Sequence, residues 1–354
     1  MNILLVKLSS LGDVIHTLPV VQDILAARPD AHIDWVVEPA FAPVLSLCPG
    51  VQRVVVCDLR RWRKAPLASR TRRAYRAFKL QLQATAYDAV IDLQGLTKSA
   101  LVAWLARLAP GGKRYALANQ TDGSGYEAPT RWVADVAIRM VPRIHAVQRA
   151  RLLAAQALGY RLATELNYGL KMPLPHMMYV PSAIESIADG LPSNDQLANS
   201  VAFIHGTSRA DKTWPLAHWV ALGQQLTTAG YSVVLAHGNA AELATSQAIA
   251  CALNVASPVP AATVLPTLAL DALAPVLSKC AGVIGVDSGV SHLAVALDLP
   301  HVQIYNFDTA WRTGPERAGL NGAQQVSVFA QPAPGVQAVW QAWLDCMAAN
   351  EARE

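Results

Sequence analysis

The sequence predicts an α/β protein built from two Rossmann-like domains, each a doubly wound parallel sheet. Three observations predict it. Short continuous apolar runs, the mark of parallel strands buried on both faces, alternate with helix-length segments along the whole chain. The length of 354 residues suits two domains of this class. In each half the first apolar run ends in a loop of small and hydroxylated residues that leads into a helix, where doubly wound folds bind ligands.

The apolar runs place strands at Asn2–Val6, His32–Val37, Arg53–Val56 and Ala89–Asp92 in the first half. In the second half they fall at Val201–Ile204, Ser232–Ala236, Gly282–Val286 and His301–Ile304. Val14, Leu18, Val21 and Leu25 form one apolar helical stripe, and Pro19 inside it forces a kink or a late helix start. Residues 1–175 are read as the N-terminal domain and 176–335 as the C-terminal domain. The boundary falls within Lys171–Ser200, a stretch holding Pro173, Pro175, Pro181 and Pro192. Residues 336–354 form a final amphipathic helix, with Val339, Trp340, Trp343 and Met347 at helical spacing. It either closes the second domain or crosses back to the first.

Composition narrows the class. Apolar residues make up 53% and charged residues 15%, which supplies two cores and argues against disorder. Five scattered cysteines without a CxxC pair argue against a disulfide framework or a zinc site and fit a reducing cytoplasm. The chain enters a strand at Asn2, which leaves no room for a signal peptide, and no apolar run reaches the ~18 residues of a membrane span. A soluble or peripheral protein is expected. The charge is lopsided. Residues 1–175 hold 23 Lys and Arg against 12 Asp and Glu, net +11, whereas residues 176–354 hold 6 against 13, net −7. An anionic partner for the first half is expected. The stretch 60–79 carries nine basic residues and no acid, beginning Arg60-Arg61-Trp62-Arg63-Lys64. Arg forks suit phosphates, and Trp62 suits a membrane interface. RNA is a weaker match, because one aromatic and no RNA-binding motif accompany the cluster.

Four constellations carry chemistry. Lys7-Leu8-Ser9-Ser10-Leu11-Gly12-Asp13 offers a carboxylate beside a glycine turn; Asp13 reads as a general base or as a helix cap. His205-Gly206-Thr207-Ser208-Arg209-Ala210-Asp211-Lys212 offers hydroxyls and a lysine where a phosphate would sit, without the spacing of an ATPase P-loop. Asp287-Ser288-Gly289-Val290-Ser291-His292 is a turn into a helix start and reads as an anion site or a plain cap. Glu242 follows the second strand of the second half, where a carboxylate holds ribose hydroxyls or simply faces solvent. A base loop in one half and an anion cradle in the other suggest a transferase reacting in the cleft between domains. No G-x-S-x-G elbow supports a hydrolase.

On these residues the chain resembles the ADP-heptose:lipopolysaccharide heptosyltransferase family, over essentially its whole length. The resemblance lies in Leu4-Leu5-Val6-Lys7 through Gly12-Asp13-Val14-Ile15-His16-Thr17-Leu18-Pro19, Asp34-Trp35-Val36-Val37-Glu38 and Tyr87-Asp88-Ala89-Val90-Ile91-Asp92-Leu93-Gln94-Gly95-Leu96. It continues in Asp211-Lys212-Thr213-Trp214-Pro215 and Asp287-Ser288-Gly289-Val290-Ser291-His292-Leu293. The Arg60–Lys64 string and Gln94-Gly95-Leu96-Thr97-Lys98-Ser99 favour the type I members over type II.

The resemblance implies a GT-B fold and inverting transfer without a metal or a cofactor. The implied donor is ADP-L-glycero-β-D-manno-heptose and the implied acceptor is the inner Kdo sugar of Kdo2-lipid A. It implies Asp13 as base, with Lys212 assisting the leaving group. Thr207, Ser208, Lys212, Asp287, Ser288, Gly289 and His292 match the donor site, with Glu242 at the ribose and Leu268 near the adenine. Lys7, Ser10, Gly12, Arg60, Arg61, Arg63, Lys64, His145 and Arg149 match the acceptor side. Around Gln120–Pro129 the chain is Gly-rich where relatives often place a basic residue, with Tyr126 near that spot. The implied location is peripheral, on the cytoplasmic face of the inner membrane, with no nucleic-acid partner. The alternatives are a type II or other core glycosyltransferase, a nucleotide-sugar epimerase, or an anionic-lipid binder without activity.

Overall fold

The computed structural model describes residues 1–172, 191–255, 260–316 and 324–351. The expected boundary at 175/176, together with Pro173, Pro175 and Pro181, lies outside them. The chain divides into two compact units, Met1–Lys171 and Met172–Glu354.

The first unit is a six-stranded parallel sheet of β1 (Asn2–Val6), β2 (His32–Val37), β3 (Arg53–Val56), β4 (Tyr87–Asp92), β5 (Leu108–Leu117) and β6 (Val136–Ile138), in the order β3-β2-β1-β4-β5-β6. The second repeats that topology with β7 (Ser200–Ile204), β8 (Ser232–Leu235), β9 (Ala262–Val264), β10 (Gly282–Val286), β11 (His301–Tyr305) and β12 (Gln325–Phe329), in the order β12-β11-β10-β7-β8-β9. In each sheet the order reverses beside the first strand, so the loops after β1 and β4, and after β7 and β10, flank a switch point where such sheets bind ligands.

Burial explains the strands. Ile3 to Val6, Val201 to Ile204 and Val283, Ile284 and Val286 are all almost fully buried, as central parallel strands require. β5, β6, β9 and β12 are not among the strands that the apolar runs predict. β5 contains Gly111 and Gly112 and is only partly buried over most of its length, while β6, β9 and β12 are short edge strands. The expected first helix is two: Leu11–Ile15 and Leu18–Ala27, with Pro19 in the first turn of the second, where its missing N–H costs nothing.

Helices cover both faces of the first sheet. Leu18–Ala27 packs with Ala146–Leu158. Arg151 on the latter makes two hydrogen bonds to Asp23, at 2.7 and 2.8 Å, with both side chains buried. Removing one partner of such a pair costs about 3–5 kcal/mol, so the helix that carries Arg149 is firmly placed. Ser69–Gln83, Thr97–Leu105 and Pro129–Val133 pack in series; these connect β3 to β4, β4 to β5 and β5 to β6, and right-handed crossovers place them together on one face. In the second unit, Val336–Glu351 packs on β11, β12 and helix Leu216–Thr228, with Trp343 fully buried.

Candidate active site

In the first unit the loop after β1 is splinted by the loop after β4. Gln94 Oε1 accepts the N–H groups of Leu8 and Ser9 at 2.9 and 3.1 Å, and its Nε2 donates to the Ser9 carbonyl at 2.6 Å. Gly95 has φ +81°, a conformation that favours glycine, and lets the chain turn here. Beneath the loop, Asp92 is buried and accepts N–H bonds from Gln94 (2.9 Å) and Gly95 (3.1 Å) and the Ser99 hydroxyl (3.0 Å). Burial pushes its pKa up to about 6 against those donors.

Asp13 stands at the start of the helix that follows. Its Oδ2 accepts from the Ser10 N–H and the Ser10 hydroxyl, both at 3.1 Å, and Oδ1 faces the Lys7 ammonium at 3.6 Å. Lys7 is itself buried and donates to the Leu93 carbonyl at 3.0 Å. Burial works to raise the Asp13 carboxyl, but Lys7, the Ser10 hydrogen bonds and Arg149 outweigh it and hold the group below the ordinary carboxylate value. Burial in turn lowers the Lys7 ammonium, and Asp13 limits that drop. The Asp13 side chain remains 38% exposed, so an ionised oxygen is within reach of an incoming hydroxyl.

The basic helix Leu59–Lys64 is tied to this loop. Arg60 Nε is 2.8 Å from Glu38 Oε2, and Lys98 Nζ donates to Glu38 Oε1 at 3.0 Å and to the Ser9 hydroxyl at 2.6 Å. Arg61, Arg63 and Lys64 are exposed. Trp62 corrects an expectation. It is 8% exposed and packs on Tyr75 and Phe78 at centroid distances of 5.9 and 5.4 Å, so it is a core residue rather than an interfacial one. On the far side, His145 caps helix Ala146–Leu158, its ring 6.0 Å from that of His16. Arg149 is buried, donates to the Thr121 hydroxyl at 2.8 Å and acts electrostatically on both Lys7 and Asp13. Tyr126 donates its hydroxyl to the Ala118 carbonyl at 3.0 Å.

The second unit builds a different site at the equivalent place. Lys212 Nζ is 2.5 Å from Asp287 Oδ2, His292 Nε2 is 3.4 Å from Oδ1, and Thr207 Oγ1 donates to the Asp287 carbonyl at 3.3 Å. Burial works to raise Asp287, yet His292 and Lys212 outweigh it and leave the carboxyl well below the usual range. Lys212 is pinned from both sides. Asn306 Nδ2 donates to the carbonyls of Asp211 (3.2 Å) and Thr213 (2.9 Å). Trp214 is buried against Trp219 and donates to the Pro334 carbonyl at 2.8 Å. Ser288 caps helix Gly289–Ala296, whose first-turn N–H groups and dipole favour an anion. Ser208 lies exposed in the loop after β7.

Glu242 lies against the same loop. Its Oε2 accepts the Gly238 N–H at 2.7 Å, and a Cβ on Gly206 would fall 2.5 Å from its carboxyl carbon. Only a glycine lets that carboxylate lie so close to the phosphate-type loop. A carboxylate after the second strand of a Rossmann unit is the usual ribose ligand. Leu268 is half-buried in the loop after β9, beside Thr267, whose hydroxyl is 3.5 Å from His237 Nδ1 in the loop after β8. Nothing in the sequence pattern marks the contacts of Glu38, Gln94, Lys98 and Asn306, although the first three lie inside the stretches that carry the family resemblance.

Two six-stranded parallel Rossmann units, one with the Asp13 carboxylate and the other with the Lys212–Asp287 pair at its switch point, have the architecture of a two-domain glycosyltransferase of the GT-B class. The chain belongs to glycosyltransferase family 9, the heptosyltransferases, whose model matches residues 75–334. Lipopolysaccharide heptosyltransferase 1 of Pseudomonas aeruginosa is 38% identical over 324 residues, spanning 91% of this chain and 81% of that protein. The solved structure of E. coli heptosyltransferase WaaC with ADP superposes with a TM-score of 0.74 at 31% identity, covering 100% of this chain and 98% of that one. WaaC with ADP-2-deoxy-2-fluoro heptose gives 0.73, also at 31%, covering 100% of each.

Proposed function

We propose that this chain transfers L-glycero-D-manno-heptose from ADP-heptose to the inner Kdo of Kdo2-lipid A, inverting the anomeric centre, with Asp13 as general base. The observation that carries this reading is the Asp13 environment. Ser10 occupies one carboxylate oxygen, the buried Lys7 faces the other and keeps the group ionised, and the side chain stays partly exposed. In the reaction the carboxylate takes the proton of the Kdo hydroxyl as the hydroxyl oxygen attacks the heptose C1. The bond from C1 to the ADP oxygen breaks with its electron pair going to the diphosphate.

The leaving diphosphate gains negative charge as that bond breaks. Lys212, Thr207, Ser208 and the helix start at Ser288-Gly289 stabilise that charge more in the transition state than in the ground state. Asp287 and His292 hold the Lys212 ammonium in place, Glu242 takes the ribose hydroxyls, and Leu268 packs on the adenine. This set supplies the positive charge without a divalent cation. Arg60, Arg61, Arg63 and Lys64, with His145 and Arg149, meet the carboxylates and phosphates of the acceptor. Among the described residues no helix is long and apolar enough to cross a membrane, and the net charge of +11 on residues 1–175 supports a peripheral position on the cytoplasmic face of the inner membrane.

The test is ADP release on mixing the protein with ADP-heptose and Kdo2-lipid A in EDTA. Release only when both substrates are present, with a product heavier by one heptose, is the expected outcome. Release only when the acceptor already carries a heptose overturns the assignment of the acceptor.

A further inference from the structure

The charge on the first unit is accompanied by exposed indoles that the reaction does not use. Trp104 is 61% exposed, Trp132 73%, Leu80 73% and Leu101 44%. They lie on the three helices that cover one face of the first sheet, Ser69–Gln83, Thr97–Leu105 and Pro129–Val133. Arg114 on β5 joins the two tryptophan-bearing segments. Its guanidinium donates to the carbonyls of Ala103 at 3.0 Å and Trp104 at 3.3 Å and lies 3.9 Å from Asp135, just past the end of Pro129–Val133. The neighbouring helix Ser69–Gln83 exposes Arg70, Arg72, Arg73, Arg76 and Lys79 and contains no acid.

We infer that this face docks on an anionic lipid bilayer, with Trp104 and Trp132 entering the headgroup region and the arginine helix beside them facing the lipid phosphates. This deepens the reading above by naming the surface through which the membrane of a lipid acceptor is met. Indoles suit the interface, where an apolar body and a polar N–H are both satisfied, and each basic side chain near an anionic leaflet adds to the attraction. The face also adjoins the acceptor loop. Lys98, which donates to Ser9, precedes Trp104 by six residues on the same helix, about 9 Å along its axis. A two-fold contact with a second copy suits this face poorly, since it would bring two acid-free arginine helices towards each other.

The experiment compares the wild-type chain with the double variant Trp104→Gln/Trp132→Gln. Partitioning is measured on vesicles of equal parts phosphatidylglycerol and phosphatidylcholine, and on phosphatidylcholine alone. Transfer is measured to vesicle-embedded Kdo2-lipid A and to the de-acylated acceptor. The wild type is expected to partition into the anionic vesicles and to be released by molar salt. The double variant should lose about tenfold or more of that partitioning and slow on the embedded acceptor. Its ADP affinity and its transfer to the de-acylated acceptor should be unchanged. Undiminished partitioning of the double variant overturns the inference, as does a variant whose only change is loss of self-association in sedimentation equilibrium. A wild type that transfers heptose to neither acceptor, yet partitions through these two indoles, overturns the activity and leaves the docking face standing.

Discussion

The Lys212 ammonium lies 2.5 Å from Asp287 Oδ2, a contact between the loops after β7 and β10 that joins residues 75 apart in sequence. It makes the lysine a fixed charge rather than a searching one. Lys212→Ala is expected to weaken ADP binding and slow transfer together, lowering kcat/KM by about 10²-fold or more. Steady-state kinetics with calorimetric ADP titration check this. Unchanged ADP affinity would remove Lys212 from the diphosphate.

Glu242 and Gly206 act as a pair. Gly206→Ala places a methyl carbon where the Glu242 carboxyl lies and displaces it. ADP affinity is expected to fall about tenfold, with little further loss in Gly206→Ala/Glu242→Ala beyond Glu242→Ala alone, because the methyl then has nothing to displace. Additive losses in a double-mutant cycle would show that the glycine serves another purpose.

Asp92 gives a pH signature. Its folded value of about 6 lies above the ordinary value, so folding binds the proton more tightly than the unfolded chain does. The ionised group therefore costs stability that is absent below about pH 4 and grows to about 3 kcal/mol as pH rises through 6. Asp92→Asn keeps an oxygen for the Gln94 and Gly95 amides but does not titrate. Relative to wild type, the variant should gain stability as pH rises from about 4 to about 7, read by denaturant unfolding at each pH. Parallel curves for the two proteins would show that Asp92 does not titrate in that window.

Asn306 positions the Lys212 loop through the carbonyls of Asp211 and Thr213. Asn306→Asp replaces the donating amide by an oxygen facing those carbonyls. ADP affinity should fall several-fold while secondary structure by circular dichroism stays unchanged. ADP binding equal to wild type would mean that Trp214 alone fixes the loop.

Much of the fold was legible because buried parallel strands write themselves as apolar runs. β1, β2, β3 and β10 fall on the expected residues. The missed strands share a physical reason. β5 carries Gly111 and Lys113 at exposed positions and Gly112 and Arg114 at partly buried ones, and β6, β9 and β12 are edges with one neighbour each, so none needs a continuous apolar run. The loops carrying Asp13, Lys212 and Asp287 were legible because small residues, hydroxyls and charges follow directly on apolar runs. The Glu38–Lys98 and Glu38–Arg60 pairs were not. They join residues 60 and 22 apart, and only the parallel pairing of β1 with β2 and β4, and of β2 with β3, brings these segments together. Trp62 misled because a tryptophan in a basic string looks interfacial, whereas the short helix turns it inward and its four charged neighbours outward.

The most direct test of Asp13 as the base is single-turnover heptose transfer by Asp13→Asn, followed by product mass and ADP-heptose affinity. A chemical step slower by about 10²-fold or more is expected, with donor affinity within about twofold of wild type. A near-normal rate in that variant would contradict the assignment of Asp13 as the base.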